Sequence, residues 1–171
     1  MTQLEQKHFN AIVHVVHEYA NFVSSAEMVL TGRNIDGSPI KPPANSHISH
    51  AFFLNCRKLA DFFLKRNTSC DDIMAAHYVD GFQGDLPMFD TLRTPLNKQL
   101  AHVTYSRETS PREISRDDCQ ALYAELKKTW RDFRKQLAGG LYEAEFTHQI
   151  GKRKAPHING MPSEFRNYDL D

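Results

Sequence analysis

The chain has 171 residues, enough to bury a substantial core in one compact domain. Its 21 Lys and Arg balance its 21 Asp and Glu, so no overall field draws in nucleic acid or an acidic membrane, and any such binding has to come from a local patch. Three cysteines, Cys56, Cys70 and Cys119, are odd in number and lack paired ligand spacing, which fits free thiols in a reducing, cytoplasmic setting better than a disulfide framework. No leader-like start and no apolar run near the roughly 20 residues that span a bilayer is present, so neither secretion nor a membrane span is expected.

Residues 3–31 read as a long amphipathic helix: Phe9, Ile12, Val13, Val16, Tyr19, Phe22, Val23, Ala26 and Leu30 recur at helical spacing, and Gly32 is placed to end it. Residues 32–45, with two glycines and three prolines, read as a loop, and Asn45 or Ser46 can cap the next helix. From Ser46 to about Arg66, Ile48, Phe52, Leu59, Phe62 and Phe63 form a second apolar face, rich enough in phenylalanine to be central to the core. A short helix is expected from Asp71 to Tyr78, and Gly81, Gly84 and Pro87 mark a connector.

The third main helix is expected over 88–105, where Phe89, Leu92, Leu96, Leu100 and Val103 form one narrow stripe. Pro95 lies inside it, so the helix either starts near that residue or kinks there. Ser110-Pro111 breaks the chain. Ser115 and Asp118 then form a capping box ahead of Cys119, Leu122, Leu126, Trp130, Phe133 and Leu137, a fourth long helix ending at Gly139-Gly140. Residues 141–171 read as an irregular tail docked through Tyr142, Phe146 and Phe165. The expected architecture is all-α: an antiparallel bundle of four long helices with one short helix over 1–140, followed by the tail.

Candidate chemistry is sparse. His14 with His17 and His47 with His50 share helical faces, and Glu5 with His8 and Glu145 with His148 resemble half of a di-iron ligand set. The second helix lacks the glutamate that such a set needs, so the pairs read as polar flanks and no metal or other cofactor is expected, a metal-binding bundle being the last-ranked alternative. Cys56 and Cys119 sit at apolar helix positions and read as core, and Cys70 as a loop residue with no activating partner. Among basic clusters, Lys127, Lys128, Arg131, Arg134 and Lys135 read as a solvated face interleaved with Glu125 and Asp132. Lys152-Arg153-Lys154 has no acidic neighbour and is the better candidate for a phosphate backbone. His102 lies about 120° round from the centre of the third helix's stripe, beside Lys98 and Gln99, where it can meet a ligand or another chain.

The run Asn97-Lys98-Gln99-Leu100-Ala101-His102 on the third helix of a predicted bundle resembles the signature of the HEPN superfamily, particularly its AbiU2-like branch. The resemblance covers about a dozen residues, from Leu96 to Arg107. It implies a metal-independent ribonuclease whose site is completed across a homodimer interface, or a relative without catalysis that serves as an antitoxin, RNA-binding or scaffold module, in either case linked to toxin–antitoxin or phage-defence systems. Carried over by position, His102 would be the catalytic histidine, Asn97 its polar companion and Lys98 a cationic contact. Leu96 stands where the motif arginine would fall, and the nearest arginines are Arg93 and Arg107. In the ribonuclease reading His102 acts as general base or acid on the 2′-hydroxyl and leaving oxygen, while Arg93, Lys98 or Arg107 stabilises charge on phosphate. With Leu96 in the arginine's place, the alternative is a non-catalytic module that binds RNA or a cognate toxin or antitoxin.

Overall fold

The computed structural model describes residues 1–34, 36–41, 44–64, 72–101 and 113–153, without the side chains of 44, 45 and 98–101. They form an all-α fold of five helices: α1 (Gln3–Thr31), α2 (Ala44–Leu64), α3 (Pro87–Ala101), α4 (Arg116–Leu137) and α5 (Glu143–Lys152), with a 3₁₀ turn at Ala75–His77. The described residues contain no strand, only a single bridge between Arg33 and Pro39 in the loop after α1.

Local chemistry sets the helix ends. Thr2 caps α1 in a reciprocal box, its hydroxyl accepting from the Glu5 amide while the Glu5 carboxylate accepts from the Thr2 amide. Gly32, at φ 67°, closes the helix in the left-handed conformation that glycine adopts without a steric cost. Ser115 and Asp118 form the expected box at the start of α4. Pro87 opens α3 at the first helical position, and the helix runs on through Pro95, whose absent N–H leaves the Thr91 carbonyl without its usual helical donor.

One hydrophobic core, rich in aromatic rings, joins all five helices. Trp130 of α4 stacks on Tyr19 of α1 with centroids 4.0 Å apart, both fully buried, and Phe133 meets Phe62, Phe63, Tyr78, Phe82 and Phe146 in tilted or edge-on contacts. On α1 the buried face includes Val15, while Val13 and Phe9 are half-buried, so the stripe is centred slightly off the expected one.

Two segments depart from expectation. The short helix expected over 71–78 is a 3₁₀ turn of three residues, in which His77 Nδ1 accepts from the Met74 amide. Part of the stretch read as irregular tail is α5, whose Phe146 and Ile150, with Tyr142 just ahead of the helix, are buried in the common core. α5 runs beside α1 in the same direction, since Tyr142 at its start meets His8 and Arg153 at its end meets His17. Phe165 lies outside the described residues.

A cationic cleft between α2 and α3 as candidate functional site

The α3 stripe buries Phe89, Leu92 and Leu96. Arg93 and Asn97, four residues apart, therefore project together from the flank of that stripe. They line a cleft of about 420 Å³ whose opposite wall is α2, with Arg57, Lys58 and Asp61. Phe62 and Phe89 form an apolar floor, and Asp72, Ile73 and Met74 close one side.

A tertiary cap positions this wall. Leu86, which precedes Pro87, offers no side-chain acceptor; the Glu125 carboxylate of α4 accepts from the amides of Met88 (2.7 Å) and Phe89 (2.9 Å). Partial burial raises the Glu125 pKa above its ordinary value despite those two bonds, and Asp85 and Asp90 add to the rise.

The cations of the cleft are only lightly committed. Lys58 Nζ lies 3.0 Å from both carboxylate oxygens of Glu18, and Arg57 Nε lies 3.9 Å from Asp61 Oδ2. Both pairs are solvent-exposed and worth roughly 0–1 kcal/mol each. Arg93 is exposed and makes no hydrogen bond or ion pair with another described residue. Three cationic side chains above an apolar floor, one of them uncommitted, can take an anionic group with an aromatic or aliphatic part beneath it.

Of the residues singled out in the sequence, Arg93 and Asn97 are thus brought to one cleft. Lys152 is exposed at the end of α5, and the Arg153 guanidinium donates to His17 Nδ1 (2.5 Å). His102, Arg107 and Lys154 lie outside the described residues, as does the side chain of Lys98. Leu96, at the position of the motif arginine, is 1% exposed and belongs to the core. Three of the five cations of the α4 cluster are engaged close to home: Lys128 with Asp132 (2.8 Å), Lys127 over the Tyr123 ring, and Arg134 on Phe146 and Thr147. Among the described residues no group of three or more His, Cys, Asp or Glu side chains could hold a metal ion. Burial pushes the Cys119 thiol up to about 11, Asp118 adding to the effect, and pushes Cys56 well above the ordinary range.

Arg57 and Lys58 were absent from the sequence-level candidates, yet a signal exists. With Asp61 they are the only Lys, Arg, Asp or Glu residues of a 21-residue helix. No described helix is long and apolar enough to cross a membrane. No protein-family model, curated protein or solved structure matches this chain.

Proposed function

We propose that this chain is a HEPN-like, RNA-directed protein that works at the cleft between α2 and α3. The observation that carries the reading is the meeting of Arg93 and Asn97 with Arg57 and Lys58 around one cavity. In the catalytic form of the proposal, His102 acts as general base or acid on the 2′-hydroxyl and leaving oxygen without a metal, with Asn97 as its polar companion, and Arg93, Lys98 or Arg107 stabilises charge on phosphate. On a straight helix His102 lies about 180° from Arg93 and about 140° from Asn97, so these groups meet only across a dimer. The site is completed by a second copy of the chain in a cytoplasmic homodimer, with a cognate toxin or antitoxin as a further partner.

The four longer helices are taken as an antiparallel bundle. The order of contacts supports this for α1 against α4, because Leu30 meets Arg116, Phe22 meets Tyr123 and Tyr19 meets Trp130. It also supports it for α1 against α2, where Ser25 bonds Asn55 and Glu18 pairs with Lys58.

The buried Leu96 favours a second reading, a non-catalytic module that binds RNA or a partner protein through the same cleft. End-labelled RNA incubated in EDTA with wild-type protein and with His102→Ala separates the two. Cleavage by the wild type, lost at least a hundredfold in the variant, is the ribonuclease outcome. RNA bound but uncut by both proteins is the outcome of the binding module, and cleavage that survives His102→Ala rules out the assigned chemistry.

A further inference from the structure

The cleft does not end at Lys58. A smaller cavity of about 120 Å³ between α1 and α2 shares Lys58, Phe62 and Ile73 with it and adds His14 and Glu18 of α1. One turn along α1 from His14 is His17, which accepts from Arg153 at the end of α5, beside the exposed Lys152. Between Glu5 and Glu27, α1 carries a single acidic side chain, Glu18, and Lys58 pairs with it. Its other outward residues there include the cation Lys7 and the polar side chains of Asn10, His14 and His17, with Asn21 half-buried. Cations therefore flank a charge-poor helix on both sides, with Arg57, Lys58 and Arg93 on one and Lys152 and Arg153 on the other.

We infer that these groups form one continuous track for a single-stranded RNA, running from the α2–α3 cleft over the outer face of α1 to the C-terminal end of α5. The inference rests on the RNA-directed reading above and extends it to a path and a length. Crossing from α3 by way of α2 and α1 to α5 covers three helix spacings of about 8–10 Å, roughly 25–30 Å. At the roughly 3.4 Å per nucleotide of a stacked strand this holds on the order of eight nucleotides. A folded duplex is a poorer fit, because the apolar floor under Arg93 suits an unstacked base, which a single strand supplies.

The test compares oligoribonucleotides of 4 and 12 nucleotides binding to wild-type protein, to the double variant Lys152→Glu with Arg153→Glu, and to Arg93→Ala, with circular dichroism melts checking that the variants fold. The track predicts that the α5 double variant weakens the 12-mer at least tenfold and the 4-mer less than twofold. The dependence of 12-mer affinity on salt should also fall by about 1.4 in slope, at roughly 0.7 per phosphate contact on a single strand. Arg93→Ala should weaken both lengths. A 12-mer indifferent to the α5 variant overturns the track while leaving the cleft reading in place if Arg93→Ala still weakens it. Equal losses for both lengths also overturn the track, since a single site at α5 would then suffice. Failure of the wild type to bind either oligonucleotide overturns the track and the RNA-directed reading together.

Discussion

At Gly84 the chain passes so close to α2 that a Cβ there would stand 2.9 Å from Phe63 Cβ and 3.2 Å from Thr129 Cγ2, while the Gly84 amide donates to the Phe63 carbonyl. Neither neighbour is the loose end of a long side chain, so Gly84→Ala is expected to cost about 1–3 kcal/mol, read by urea denaturation, as overpacking does elsewhere. A variant as stable as the wild type would show that the segment leading into Pro87 shifts freely. Sequence alone marks Gly84 only as connector; the close approach depends on where α2 and α4 lie. Two of the three cysteines were legible, because Cys56 and Cys119 fall on apolar stripes, and both are buried; Cys70 lies outside the described residues. The raised pKa values of Cys56 and Cys119 keep them as thiols at neutral pH. Iodoacetamide at pH 8 followed by peptide mass mapping should find both unmodified in native protein and both modified in denaturant; rapid native labelling of either would contradict the burial.

At the scale of elements, four longer helices could be read from periodicity because each carries several apolar residues at spacings of three and four. α5 could not. Its ten residues carry Phe146 and Ile150, preceded by Tyr142, too few anchors to set helix apart from irregular chain, and it is ordered by docking on α1 and α4 rather than by propensity. The Glu125 cap was equally hidden, since it reaches amides 36 and 37 residues away. Glu125→Ala would leave the Met88 and Phe89 amides unpaired and should cost about 1–2 kcal/mol, with faster hydrogen exchange at those two amides than at the rest of α3. The pH dependence follows from the direction of the shift. The Glu125 pKa is raised in the folded state, so the folded protein holds this proton more tightly than the unfolded chain. Its contribution to stability is fully present below the unfolded value near 4.5 and is lost as pH rises through the folded pKa. The stability advantage of wild type over Glu125→Gln should therefore shrink as pH rises from 4 towards 7. An advantage that grows over that interval would mean the two amide bonds outweigh burial.

Across the whole molecule the balanced charge means that no long-range field gathers a polyanion, so binding must depend on how few acidic groups lie along the path. Arg93 and Asn97 were singled out in the sequence only through the family resemblance, although their four-residue spacing puts them on one helix flank. Their meeting with Arg57 and Lys58 was not legible, because it depends on which face of α2 packs against α3, something no local pattern encodes. Glu18 is the acidic group placed where that arrangement can be tested. Its carboxylate occupies the Lys58 ammonium at the boundary between the two cavities, and the pair is exposed enough that Glu18→Gln should cost at most about 1 kcal/mol of stability. Removing the carboxylate releases Lys58 to a phosphate and removes like-charge repulsion of about 1 kcal/mol, so affinity for a 12-nucleotide RNA should rise about fivefold. The salt dependence of binding should steepen by roughly 0.7, one additional phosphate contact. Unchanged affinity and slope in Glu18→Gln would place Lys58 off the path of the RNA. A rise in affinity without a steeper slope would mean that the carboxylate acts through repulsion alone, with Lys58 making no phosphate contact.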